Sequence, residues 1–249
     1  MRIFWVIFAL WLAACSPKSE VIEDAFPTPI KSGYAFLTAD TQALQDDDFS
    51  NPGLLWAERG AAMFAQDCQA CHSADAMTGI AATFPKMKDG KLINLEGQIN
   101  QCRVELMNTT PLPYESDALL SLTTFVANKS KGLPISVDIT GPAAEFYSAG
   151  RDYFYTRRGQ FNLSCAQCHN NHWGQKLRGD TVSQGHGNGF PAYRFEWESV
   201  GSLHRRLSDC DLGVRAEPRA LGSDDYLNLE LYLAARAQGL TVETPAVRR

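Results

Sequence analysis

Twice in this chain two cysteines stand three apart with a histidine directly after the second: Cys68-Gln69-Ala70-Cys71-His72 and Cys165-Ala166-Gln167-Cys168-His169. In an exported protein this run is the attachment signature of a c-type haem, in which two thioethers fix the macrocycle and the histidine takes one axial position on iron. The spacing has a geometric basis. Residues three and four apart share one face of a helix, so both sulfurs and the imidazole can address one ring without strain. A bare Cys-x-x-Cys also suits zinc or a thioredoxin-like redox site, but here histidine follows both times and no second pair of zinc ligands stands nearby. The reading is two covalently bound haems. Cys68 and Cys71 hold the first, with His72 on its iron, and Cys165 and Cys168 hold the second, with His169 on its iron.

The start of the chain fits export. Met1-Arg2 precedes a short apolar run that ends in Leu12-Ala13-Ala14-Cys15, the pattern of a signal peptide over residues 1–15. Its last four residues resemble a bacterial lipobox, which makes Cys15 a candidate for lipidation and membrane tethering in the periplasm; ordinary cleavage nearby is the alternative. No later stretch is long enough to span a bilayer. The formal net charge of −5 gives no basic surface for nucleic acid.

Seven cysteines are present. The two haem motifs take four and the lipobox one, which leaves Cys102 and Cys210, one behind each motif. An oxidising compartment favours disulfides, so these two are candidates to pair with each other. Their matching positions argue instead for matching jobs. The haem motifs are offset by 97 residues and the distal cysteines by 108, and Ser116-Asp117-Ala118-Leu119-Leu120 superimposes on Ser223-Asp224-Asp225-Tyr226-Leu227 at 107. In both closing segments Ser-Asp reads as a helix N-cap, and Gly132 or Gly239 as the C-terminal stop. One unit of helix, haem motif, irregular wrap, distal cysteine and terminal helix is used twice.

The expected fold is therefore all-α: two cytochrome c-like haem domains related by internal duplication, with extensive loops. Residues 16–52 read as a polar tether and then an arm wrapping the first domain, which covers 53–136; the second domain covers 137–249. Pro134, Gly141 and Pro142 punctuate the linker between them. The glycine-rich run from Asn170 to Gly189 reads as a long loop at the edge of the second haem.

The sixth iron ligands have several candidates. Met77, Met87 and Met107 are available in the first half, beside Cys102; the second half has no methionine after Phe154, which leaves His186, His204 and Cys210. His172 would lie on the same side of the ring as His169. Cys102 and Cys210 are preferred because each has a counterpart in the other unit. A thiolate on iron holds a haem at low potential, poorly suited to general electron carriage. Arg206, one helical turn before Cys210, sets a guanidinium beside that sulfur, where a cation lowers thiol pKa and binds oxyanions; a solvated basic patch is the plainer alternative.

Three stretches carry a family likeness: Arg206-Leu207-Ser208-Asp209-Cys210-Asp211-Leu212-Gly213-Val214-Arg215-Ala216-Glu217-Pro218, Asp47-Asp48-Phe49-Ser50-Asn51-Pro52-Gly53 and Gly189-Phe190-Pro191-Ala192-Tyr193-Arg194. They resemble the SoxA family, the dihaem subunits of SoxAX cytochromes in bacterial thiosulfate oxidation. The resemblance implies an L-cysteine S-thiosulfotransferase that pairs with SoxX, a small monohaem cytochrome c, and couples thiosulfate to a cysteine of the SoxYZ carrier. It makes Cys210 the catalytic cysteine, seen in the family as a persulfide on the second haem, and Arg206 the substrate-binding arginine. Arg236 is a second candidate for holding substrate, although Lys129 fills the same repeat slot, which equally fits a structural role. The competing readings are a dihaem electron carrier without sulfur chemistry and a peroxidase-like dihaem enzyme.

Overall fold

Each half of the chain is built on a pair of helices that cross at a glycine. The computed structural model describes residues 26–249; the signal peptide and Cys15 lie outside the described residues. In the first half α2 (Leu54–Asp67) packs on α4 (Asp117–Asn128), and a Cβ at Gly60 would lie 2.0 Å from the Ser121 carbonyl oxygen. In the second half α5 (Ala144–Tyr155) packs on α8 (Asp224–Arg236), and a Cβ at Gly150 would lie 1.9 Å from the Asn228 carbonyl oxygen. Only glycine permits backbones this close. The apolar stripes of these helices feed one core in each half, and a third cluster of Leu92, Val137, Ala143, Leu231 and Ala235 joins the Lys91–Ile93 strand to α8. Phe64, Met77, Phe84, Leu122 and Phe125 fill the first, and Phe154, Leu207, Tyr226, Leu229 and Tyr232 the second.

Serine starts both terminal helices, as expected, although only Ser116 accepts a capping bond, from the Leu119 N–H at 3.3 Å. Gly132 and Gly239 follow α4 and α8 with φ of +83° and +92°, the left-handed conformation in which glycine ends helices. The helices that carry the distal cysteines also correspond. Cys102 is the eighth residue of α3 (Leu95–Glu105) and Cys210 the eighth of α7 (Leu203–Gly213). Both open on a side-chain cap, Asn94 and Ser202 accepting from the N–H groups of Gly97 and Arg205.

The all-α expectation needs correction: the described residues are mostly helical with seven short strands. β1 (Lys86–Lys88) and β2 (Lys91–Ile93) form a hairpin, as do β3 (Lys176–Leu177) and β4 (Asp180–Thr181). β5 (Ala192–Arg194) pairs antiparallel with β6 (Ser199–Gly201) and parallel with β7 (Ala246–Arg248). Strands of two or three residues are too short to show the alternation by which a strand is recognised, and the partners β5 and β7 stand far apart in sequence.

A second correction concerns the arm. Its described part contains α1 (Ala39–Asp46) and lies largely against the second half rather than the first. Gln184 accepts from the Lys31 N–H and donates to the Pro29 carbonyl, Gln45 accepts from the Val247 N–H, and Asn51 donates to the Pro245 carbonyl. Buried amides here satisfy backbone groups that would otherwise be orphaned. The linker is likewise pinned, since the Gly132 and Ile135 N–H groups donate to the carbonyls of Val242 and Leu240. Among the described residues no helix is long and apolar enough to cross a membrane.

Where the halves meet, α3 and α7 bring their N-terminal turns together around a buried polar cluster. The Gly222 N–H donates to His204 Nδ1 at 3.0 Å, which fixes the ring proton on Nε2, 2.9 Å from the Glu230 carboxylate. Asn94 bridges from α3 to Glu230 at 3.1 Å, and Glu115 accepts from the Ser202 N–H at 3.0 Å. Burial, followed by the charge of Glu230, raises the Glu96 carboxyl to about 7.

Two expectations follow from this packing. Gly150→Ala forces α5 and α8 apart and lowers stability by about 2–3 kcal/mol, read as an earlier midpoint in chemical denaturation. Because Glu96 binds its proton more tightly folded than unfolded, its contribution is complete below pH 4.5 and is lost as pH rises through about 7, a loss of about 3 kcal/mol. Glu96→Gln therefore flattens the stability profile over that window and is the more stable protein at pH 8, measured by urea melts across pH 5–8.

Candidate functional site

The second haem motif is itself a helix, α6 (Cys165–His169), started by a capping box in which Ser164 and Gln167 satisfy each other's backbone N–H groups. Cys165, Cys168 and His169 consequently share the one-face arrangement that the spacing predicts. His169 is oriented from behind. Its Nδ1 donates to the Ser183 carbonyl at 2.8 Å, leaving Nε2 free for a metal, and burial lowers its pKa to about 4, so the ring is neutral. Gly185 packs under the imidazole, where a Cβ would lie 2.8 Å from Cγ, and its φ of +77° excludes most other residues. The glycine-rich loop thus reaches the site as expected, with its carbonyl and its glycine forming the wall behind His169.

Helix α7 brings Cys210 to the same place. Both Cys165 and Cys168 stand within electrostatic reach of Cys210, and Cys165 is buried enough that desolvation pushes its thiol up to about 11. Arg206 precedes Cys210 by one turn, so the two side chains share a helix face, and Cys210 is the largest influence on the guanidinium, strengthening its hold on its proton. Of the other candidates for the sixth ligand, His204 is engaged away from the site, whereas His186 stands within electrostatic reach of His169. His204 belongs to the cluster between the halves, and buried His186 lies near Gln184 with its pKa lowered to about 3 by burial, Arg236 and His169.

Arg236 is fully buried beside His169. Its guanidinium lies over the rings of Phe154, Phe26 and Tyr232 and donates to Asn170 and to the Gln184 carbonyl. Lys129, its counterpart in the repeat, likewise lies over Phe125.

The first motif has a different local form. Cys68 ends α2, and Cys71 and His72 close a turn by donating to the Cys68 carbonyl; there the expected helix is a single turn. Cys71 and His72 are exposed. Cys102 on α3 accepts from Gln98 at 3.2 Å and acts electrostatically on Cys68, whose thiol is raised mainly by burial. The Asp67–Arg103 pair at 3.2 Å ties the end of α2 to α3. Met77 is committed to the first core, Met87 lies on β1, and Met107 follows α3. None of the six described cysteines is in a disulfide.

Two residues at the second site are marked by no spacing rule, although one of them stands inside the Arg206 to Pro218 stretch. Asp211, directly after Cys210, accepts from Tyr153 at 2.8 Å and Tyr226 at 2.9 Å and pairs with Arg158 at 3.3 Å. Arg158 in turn contacts Cys165 Sγ at 3.7 Å. This buried hub locks α7 to α5 and α8. Two cysteines on one helical face, a neutral histidine with one nitrogen held and one free, and a glycine wall behind the ring together fit a covalently bound haem c.

The profile of the SoxA/TsdA cytochrome c domain matches residues 54–135 and 149–242. The L-cysteine S-thiosulfotransferase subunit SoxA of Rhodovulum sulfidophilum is 40% identical over 94% of this chain and 85% of its own length. The chain belongs to the SoxA family. The SoxA subunit of Paracoccus pantotrophus is 37% identical over 91% of this chain and 81% of its own. The crystal structure of SoxXA from P. pantotrophus matches with a TM-score of 0.85 at 36% identity, covering 88% of this chain and 87% of that one. Membership in this cytochrome c family brings covalent haem c with it.

Asp211→Ala leaves Arg158 and two tyrosine hydroxyls without their acceptor. It is expected to cost about 3–5 kcal/mol, the scale of breaking a buried charged pair, and chemical denaturation of the haem-loaded protein measures it.

Proposed function

We propose that this chain is a dihaem SoxA-type subunit of an L-cysteine S-thiosulfotransferase, which couples thiosulfate to the cysteine of a SoxYZ-type carrier and works with a SoxX-type monohaem cytochrome c. The observation that carries the proposal is Cys210. It stands one turn from Arg206 on α7 and reaches the site formed by Cys165, Cys168 and His169. The printed names of the relatives, and the solution of one of them as SoxXA, support the activity and the partner.

In this reading Cys165 and Cys168 would attach the second haem and His169 and Cys210 would ligate its iron; Cys68 and Cys71 would attach the first, with His72 and Cys102 as iron ligands. The glycine-centred helix crossings and the equal places of Cys102 and Cys210 on α3 and α7 support two domains of common origin, 53–136 and 137–249. The protein works in the periplasm, tethered by lipid if Cys15 is modified. Arg236, packed among aromatic rings beside His169 just as Lys129 lies over Phe125, is assigned to building the wall of the site rather than to substrate.

The chain's own residues have three tasks. Arg206 binds the thiosulfate dianion and orients its sulfane sulfur toward Cys210. The Cys210 sulfur forms a bond to that sulfane sulfur, and the two electrons released are taken, one at a time, by oxidised monohaem cytochrome c. The thiolate of the carrier then attacks the same sulfane sulfur and displaces the Cys210 thiolate, so the thiosulfonate leaves on the carrier. Haem c, when bound, supplies one-electron chemistry at a potential that thiolate ligation keeps low.

Cys210→Ala is expected to abolish coupling of thiosulfate to the carrier while both haems stay attached, seen as a retained covalent mass of two haems and loss of the second haem's share of the His/thiolate low-spin signal in electron paramagnetic resonance, the first haem's share remaining. Full coupling by that variant overturns the catalytic role given to Cys210.

A further inference from the structure

A second arginine stands at the Cys210 site, supplied by the sheet rather than by a helix. Arg194 is the last residue of β5 and one of the buried charged groups of the protein, 6% exposed. Its guanidinium lies over the Trp197 ring at 5.1 Å, while Nη2 pairs with Glu196 at 2.9 Å. Trp197 is itself held, because its Nε1 donates to Asp209 on α7 at 2.9 Å and Arg205 covers its ring at 4.3 Å. The fork is therefore fixed to the same helix that carries Cys210. One buried nitrogen is left over. Arg194 Nε is buried without a hydrogen-bond partner, and a buried guanidinium N–H without an acceptor costs free energy comparable to a lost charged hydrogen bond.

The charges around it point to what completes that donor. Arg194 stands within electrostatic reach of Arg206 and of Cys210 at once. The guanidinium of buried Arg194 and that of partly buried Arg206 repel, and Glu196, mostly exposed at 59%, offsets them only in part. An acceptor with several oxygens and more than one negative charge, lying between the two arginines, removes the repulsion and satisfies the orphan N–H together. Resting on the thiosulfate-coupling reading above, we propose that Arg194 and Arg206 form a two-armed clamp for the sulfonate end of the substrate, a small sulfur oxyanion dianion, so that its sulfane sulfur is presented to Cys210. Arg194 is then a substrate-binding residue, and its planar fork matters as much as its charge.

The test uses the haem-loaded protein in complex with its monohaem partner, with Arg194→Gln and Arg194→Lys beside the wild type. Calorimetric titration with thiosulfate, and with sulfate as an unreactive dianion, measures binding without turnover; coupling to the carrier thiol is followed separately. The expected result is at least a tenfold weaker Kd for both anions in Arg194→Gln, with a matching rise in KM. Arg194→Lys falls between, weaker than wild type by threefold or more, and the haem absorption spectrum is unchanged in both. Should Arg194→Gln fail to fold, the lysine variant decides the question alone. Anion affinities within twofold of wild type in the folded variants overturn the clamp while leaving the Cys210 chemistry standing. Unchanged affinities with a shifted midpoint potential overturn it as well and set Arg194 against the macrocycle. A wild-type complex that neither binds nor couples thiosulfate sinks the functional reading, and the clamp with it.

Discussion

The carboxylate of Asp211 holds the second half of this protein in register. It is buried, accepts from Tyr153 on α5 and Tyr226 on α8, and pairs with Arg158, which also touches Cys165. A single anion thus fixes α7 against the two helices of the second core and against the haem motif. Cys210 and Arg206 inherit their positions from it, because on one helix a residue locked at position 211 sets the faces of 210 and 206. In a buried, low-dielectric setting each of these charge-assisted bonds is stronger than its exposed counterpart. Removing the anion leaves the donors stranded.

The two halves are joined along the same helices that carry the distal cysteines. The N-terminal turns of α3 and α7 meet around Glu96, His204 and Glu230, and the caps Asn94 and Ser202 reach across the interface through Glu230 and Glu115. The same polar groups therefore start each ligand-bearing helix and fix its position relative to the other. The arm adds a third layer, with Gln45, Asn51 and Gln184 closing backbone groups between segments remote in sequence.

Much of the site was legible because covalent haem attachment imposes spacing. Cys165, Cys168 and His169 had to lie close together, and a repeat with one leftover cysteine in each copy singled out Cys102 and Cys210. Less was legible where no spacing rule operates. Arg194 is buried at a strand end and comes within electrostatic reach of Arg206 only through the pairing of β5, β6 and β7; Asp211 and Arg158 meet only when α5, α7 and α8 pack. Arg236 shows the limit of a motif: its place in the sequence suggested substrate, and its place in the fold is among aromatic rings beside His169.

The sequence by itself determined the two attachment motifs, the repeat, the terminal helices with their serine starts and glycine ends, and membership in a cytochrome c family. These are local facts, written in residue types at short separations. Tertiary structure decided that the arm lies on the second half, that the first motif is a turn while the second is a helix, that three short strands join remote segments, and that Asp211 and Arg158 lock α7 against α5 and α8. Those outcomes depend on which buried donors find which acceptors once distant segments pack, and neither composition nor periodicity encodes that pairing.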